Sequence, residues 1–266
     1  MKKLIILLNI LIFCFGCELI DIHPYDVHVT GDTNINTNNV KRIEKLCSKK
    51  NIFSFAVIGD TQRNYDETEE FVKQINQRND IDFVIHAGDI SDFGITHEFI
   101  WMRDILNKLS MPYVALIGNH DCLGNGQESY NTIFGAENFA FSVGNTRIIC
   151  LNTNALEFDY SHPVPDFTFI ENELEHLDPN IEKTIFVMHV KPYDEQFNNN
   201  IAKAFQYTIT SFPNVQFCVH AHNHRIEIND VFNDGILYYG SGCIKERNYL
   251  VFTITPEQYY YDVVYF

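Results

Sequence analysis

Phe53-Ser54-Phe55-Ala56-Val57-Ile58 runs straight into Gly59-Asp60, and the same passage from apolar run to turn to polar donor recurs along the chain. Asp82-Phe83-Val84-Ile85 leads to Gly88-Asp89, and residues 113–117 lead to Gly118-Asn119-His120-Asp121. Short runs rich in β-branched and aromatic residues, closed by Gly and Asp, read as strands. Between them the apolar residues fall at helical spacing: Phe71, Val72 and Ile75 share one face of 67–77, and Ile100, Trp101, Ile105 and Leu109 mark 98–109. Further on, 139–143 and 147–152 read as a hairpin, 167–177 and 200–212 as helices, and 184–188 and 215–219 as strands. Two last strands, near Leu237 and at 249–255, precede an alternating tail at 259–266. Strands alternating with helices define an α/β protein, and the late run of strands adds a second sheet and an α+β character.

In such proteins ligands gather beyond the carboxyl ends of the strands. That rule selects Asp60, Asp89, Asn119, His189, His222 and His224. One Asp after a strand is ordinarily a helix cap or turn residue. A series of oxygen and nitrogen donors, most of them beside a Gly that permits a sharp turn, is not explained by capping. Carboxylates, amides and imidazoles together suit divalent first-row metals. His86 and His97 read as packing or surface histidines, and His23, His28 and His162 lie in loop-like sequence.

The composition is that of a globular protein: 45% apolar, 14% aromatic and 20% charged over 266 residues. A net charge of −16 opposes general binding to nucleic acid, so an anionic substrate needs local positive charge. Seven irregularly spaced cysteines form neither a disulfide framework nor a zinc module.

The first residues form an address. Met1-Lys2-Lys3 is a basic start, and residues 4–15 are apolar apart from Asn9. That stretch is too short to span a bilayer and reads as a secretory signal, residues 1–16. Gly16-Cys17 resembles the lipobox of bacterial lipoproteins and makes Cys17 the expected lipidation site, placing the protein on the cell envelope with the membrane as partner; a cleaved, soluble secreted form is the alternative. Residues 17–50 form the lipidated N-terminus, with 21–39 as tether or surface wrap and a short helix expected over 40–50. Residues 51–266 form the catalytic domain.

Gly59-Asp60-Thr61-Gln62, Gly88-Asp89-Ile90-Ser91-Asp92, Gly118-Asn119-His120-Asp121, Met188-His189 and His220-Ala221-His222-Asn223-His224 resemble the ordered blocks of the calcineurin-like metallophosphoesterases. The resemblance implies a four-layer β-sandwich, two mixed sheets flanked by helices, and a phosphohydrolase acting on phosphate mono- or diesters through two divalent metal ions and a hydroxide shared between them. Asp60, Gln62 and His224 would hold the first metal, Asp89 would bridge, and Asn119, His189 and His222 would hold the second. His120 would be the general acid, oriented by Asp92, which as a turn residue could equally cap the segment after it. The small phosphorylated substrate would be drawn by the metals, whose charge exceeds that of the two carboxylates by about two units.

Two blocks depart from the family pattern: Gln62 stands where a His is usual, and His220 where a Gly is usual. An amide oxygen is a harder donor than imidazole, which favours Mn²⁺ or Mg²⁺ over Zn²⁺ or Fe at the first site and makes that metal labile. The competing expectation is a degenerate metal-binding envelope interaction protein whose first site Gln62 has disabled. His220 is left out of the site. Arg63, beside the first block, is the cation best placed for a substrate phosphate, and 152–169 is a candidate wall over the metals. Gly240-Ser241-Gly242 lacks the elbow and ordered partners of a serine hydrolase.

Overall fold

The computed structural model describes residues 26–158 and 163–266. In chain order its strands are β1 (Phe53–Ile58), β2 (Phe83–His86), β3 (Tyr113–Ala115), β4 (Phe139–Val143), β5 (Thr146–Leu151), β6 (Lys183–Met188), β7 (Val215–His220), β8 (Glu227–Asn229), β9 (Tyr238–Gly240), β10 (Asn248–Ile254) and β11 (Tyr259–Tyr265). The helices are α1 (Ile35–Cys47), α2 (Tyr65–Ile75), α3 (Thr96–Leu106), α4 (Gly126–Ile133), α5 (Phe167–Glu175) and α6 (Ala202–Ile209).

One sheet has the order β11-β10-β1-β2-β3, with β1, β2 and β3 parallel and the two late strands antiparallel. The other has the order β4-β5-β6-β7-β9-β8, parallel from β5 through β9 with an antiparallel strand at each edge. Strand side chains alternate between faces, so each strand feeds two cores. Phe55, Val57, Phe83 and Ile85 point to the central core, where they meet Phe141, Ile148, Ile185, Val187, Phe217 and Phe252. Ala56, Ile58 and Val84, on the opposite face, pack under Phe71, Val72, Phe99 and Ile133 of the helices. Ile149, Phe186 and Met188 pack in the same way under Ile170 and Phe205. The result is the expected four layers, helix–sheet–sheet–helix, with each fully buried Phe worth about 1.5–3 kcal/mol of transfer free energy.

The N-terminal region differs from the tether reading. The helix begins at Ile35, five residues before the expected start, and it is docked. Asn36 donates from Nδ2 to the Ala115 carbonyl (2.8 Å) and accepts from the Ala115 N–H (2.9 Å), while Asn39 donates to the Tyr113 carbonyl (2.8 Å). These two buried amides satisfy the open edge of β3, which a sheet must otherwise leave to solvent or to another chain. Upstream, Arg103 donates to the Thr30 and Asp32 carbonyls, so this stretch is the surface wrap of the two alternatives. The signal segment, Cys17 and His23 lie outside the described residues.

Other boundaries moved by a turn or less, with the helix expected over 200–212 trimmed to α6. Helix α4 and strand β8 were not anticipated; with eight and three residues they carry too few apolar positions to show a period.

Candidate metal centre

Strands β1, β2, β3, β6 and β7 all deliver their carboxyl ends to one edge of the sandwich, and backbone bonds lock the ends together. The Asp60 N–H donates to the Gly88 carbonyl (3.0 Å), the Thr61 N–H to Asp89 (3.0 Å) and the Ala221 N–H to His189 (3.0 Å). The turns beyond them are sharp. Asp60, Arg63, Asp89, His222 and His224 all have φ between 52° and 67°, a left-handed region that non-glycine residues seldom enter. Such a concentration of strained positions is characteristic of functional sites. Gly118 has a different reason to be glycine: a Cβ there would lie 2.2 Å from Asp89 Oδ1.

The seven expected metal donors converge. Asp60, Asp89 and His189 are buried and present ligand atoms within 4.8 Å of one another. His189 Nε2 is 3.3 Å from Asp89 Oδ1 and 3.1 Å from Asn119 Oδ1, and His222 Nδ1 is 3.0 Å from the same Asn119 oxygen. On the other side of Asp89, His224 Nε2 stands 3.4 Å from Asp60 Oδ1, and Gln62 Nε2 donates to Asp89 Oδ2 (3.2 Å). Asp89 therefore sits between two groups of donors.

The fit to metal rests on orphaned atoms. Both carboxylate oxygens of Asp60 and the amide oxygen of Gln62 are buried without a hydrogen-bond partner. Leaving a buried acceptor unmet costs about 1–3 kcal/mol, and beyond His224 Nε2 at 3.4 Å from Asp60 Oδ1 these oxygens have no answering donor, which suits a cation. Burial pushes the Asp60 carboxyl above the usual carboxylate range. Burial acts the same way on Asp89, but the adjacent His189 outweighs it and holds that carboxyl low. His189 is pushed up to about 9, because Asp89 and Asp60 overcome the burial that would discharge it. His222, which lacks so close a carboxylate, is lowered to about 4 by burial.

His120 lies beside these donors, its N–H on Asp89 Oδ1 (3.0 Å). Its Nδ1 is held by the Asp92 backbone carbonyl at 2.9 Å, while the Asp92 carboxylate is 3.7 Å away. Asp92 thus reaches His120 through its main chain, while its carboxylate pairs with Arg63. Nor does Asp92 cap the following segment; Glu98 Oε2 accepts from the Asp92, Phe93 and Ile95 N–H groups. Arg63 is two-thirds exposed, ion-paired, and lies over the Phe93 ring at 5.5 Å.

Three contributions escaped the sequence reading. The Asp121 carboxylate accepts from the N–H groups of Ile90, Ser91 and Gly118 and from the Ser91 hydroxyl, clamping the second block to the third. His86, read as a packing or surface histidine, is buried in the core and bridges blocks: its Nε2 is 2.7 Å from Thr61 Oγ1, and its Nδ1 accepts from the Gly88 N–H (3.3 Å). Lys245 shares a cavity with Gln62, Arg63, Asp92, His120 and His224. Asp121 had a visible signal, its place in the third block; Lys245 had none. His97 is exposed against Trp101, and His220 is buried, lowered to about 4 and outside the donor group. Of the expected wall, Asn154 is a buried strut donating to the Ile117 carbonyl (3.0 Å), while residues 159–162, His162 included, lie outside the described ones.

Comparison with known proteins agrees with this geometry. The family model of the calcineurin-like phosphoesterases matches residues 53–225. A dimetal phosphatase from Danio rerio is similar in structure, with a TM-score of 0.65 at 12% identity, 80% of this chain and 96% of that one being covered. Purple acid phosphatase PPD1 from yellow lupin gives 0.64 at 14% identity over 82% of this chain and 52% of its own, so the chain spans about half of that enzyme. GAP50, the anchor in the inner membrane complex of Plasmodium, gives 0.60 at 13% identity over 81% and 85%. No curated protein matches in sequence. At such identities the structural likenesses establish the fold, and the family match, which runs from the first block past His224, establishes the family. The chain belongs to the calcineurin-like phosphoesterases, hydrolases that use two divalent metals to cleave phosphoric esters.

Proposed function

We propose that the protein is a manganese-dependent phosphohydrolase of small phosphate mono- or diesters, with Asp60, Gln62 and His224 at the first metal, Asn119, His189 and His222 at the second, and Asp89 between them. The carrying observation is the buried, unpartnered oxygens of Asp60 and Gln62 next to Asp89, whose Oδ2 accepts from the Gln62 amide. The Gln62 oxygen also speaks against a disabled first site, because the amide still offers an acceptor. Its hardness favours Mn²⁺ or Mg²⁺ over Zn²⁺ or Fe. Held by these residues, a metal pair would supply Lewis acidity toward the phosphoryl group and a water nucleophile of lowered pKa. The protein's own part is to hold the donors in a preformed cradle and to protonate the leaving alcohol.

His120 is the proton donor. With Nδ1 committed to the Asp92 carbonyl, Nε2 is the nitrogen that gives the proton. Such acid catalysis contributes typically 10²–10⁴-fold. Manganese-dependent hydrolysis of p-nitrophenyl phosphate and its bis ester tests the reading, and Asp89→Asn should abolish it. Equal activity in wild type and variant refutes the assignment, and the ratio of the two rates ranks monoester against diester.

Membrane attachment through Cys17 at a bacterial envelope is proposed from the basic start, the apolar stretch and Gly16-Cys17 alone. Cys17→Ser should release the protein from the membrane fraction; an unchanged distribution counts against a lipid anchor.

A further inference from the structure

Resting on that phosphohydrolase reading, we propose that the cavity beside the metal centre selects phosphate esters whose alcohol portion is itself anionic, with Lys245 as the residue that recognises the second charge. The cavity holds about 300 Å³, enough for a short phosphorylated chain. Gln62 and His224 mark its metal end, His120 its side, and Arg63 and Lys245 its cationic groups. The ester oxygen that leaves must lie against His120 to take its proton. The group attached to that oxygen therefore projects into this space, toward the two cations.

The two differ in what they have left to offer. Arg63 commits Nε to the Asp92 carboxylate and rests on the Phe93 ring, so its charge is largely answered within the protein. Lys245 stands exposed on the turn Ile244–Glu246 and, among the described residues, its ammonium has neither ion pair nor hydrogen bond. In a chain of net charge −16, a lysine without an ion pair on the wall of the leaving-group cavity is a local exception to the repulsive field. A neutral alcohol gives it nothing to pair with; a carboxylate or second phosphate does.

The test compares 3-phosphoglycerate with glycerol 3-phosphate, esters of similar size whose leaving alcohols differ in charge. In the manganese-loaded protein kcat/KM should favour 3-phosphoglycerate. Lys245→Ala should lower it for that substrate by about fivefold, mainly through KM, with a much smaller effect on glycerol 3-phosphate, and Lys245→Glu should reverse the preference. Equal kcat/KM for the two esters, or parallel losses in Lys245→Ala, overturns the proposal. If neither ester nor p-nitrophenyl phosphate is hydrolysed, the hydrolase reading fails on its own. Calorimetric binding of the two esters to the manganese-loaded protein then decides the present point: tighter binding of 3-phosphoglycerate that Lys245→Ala removes supports it, and equal affinities refute it.

Discussion

His189 Nδ1 donates to the Ala87 carbonyl at 2.8 Å, joining the end of one sheet to the end of the other. That bond fixes the tautomer, so Nε2 is the nitrogen turned toward Asp89 and Asn119. Metal-binding histidines are commonly oriented by such a bond, whose loss costs about 10–100-fold in affinity. Gly88 sits against the same ring with φ 98°, and a Cβ there would lie 2.5 Å from His189 Nδ1. Gly88→Ala should weaken manganese binding at least tenfold and lower stability by about 1–3 kcal/mol. Metal titration and thermal unfolding read the two effects; a variant with wild-type metal affinity contradicts this account of the ring.

Metal loading should release protons. In the metal-free chain His189 holds its proton up to about pH 9, because Asp89 and Asp60 stabilise the imidazolium. A ligating imidazole must be neutral, so binding at pH 7–8 expels that proton and apparent affinity rises as pH approaches 9. Calorimetry in buffers of different ionisation enthalpy measures the release; an enthalpy independent of buffer argues that His189 is not a ligand.

Acid should destabilise the fold through His86. Burial lowers this imidazole to about 3, against an ordinary value of 6.5. Between those values the unfolded chain binds a proton that the folded chain refuses, so stability falls as pH falls from about 6.5 toward 3, by at most about 1.4 kcal/mol per unit from this group. His86→Asn should flatten the pH dependence of the urea midpoint between pH 7 and 5. An identical slope in wild type and variant places the sensitivity elsewhere.

His120 and Asp92 should separate in a kinetic test. Because the Asp92 backbone orients the ring, Asp92→Asn retains that bond and should cost less than about tenfold in kcat, whereas His120→Ala should cost about 10²–10⁴-fold. Losses of the same size in both variants mean that the carboxylate, 3.7 Å away, is the orienting group.

Gln62→His should tighten the first site and shift it toward zinc, since imidazole is the softer donor. Metal analysis after chelator treatment is the measure: wild type should lose one metal readily, and Gln62→His should retain both. Two firmly held zinc ions in wild type contradict the lability.

Much of the site was legible because its parts are local. A strand that ends in Gly-Asp announces itself within eight residues, and Asp60, Asp89, Asn119, His189, His222 and His224 all stand just beyond the end of an apolar run. The alternation of strands and helices and the late run of strands were legible in the same way, whereas the four layers were implied by the family resemblance; strands such as Phe53–Ile58, buried along their whole length, show the physical reason for them. Helix α1 was misjudged because Asn36 and Asn39 look like solvent residues until they meet the edge of β3.

The chain's own order of residues thus determined which donors stand at which strand ends, and that a metal-using phosphoesterase results. Tertiary structure decided whom each donor meets. Only the register between the sheets brings Ala87 to His189, 102 positions on, or gives Asp121 its cluster of N–H partners about thirty residues back. Only the return of the chain through β9 sets Lys245 on the cavity that His120 also lines. Such meetings depend on how separate layers slide and twist against one another, which no local periodicity records.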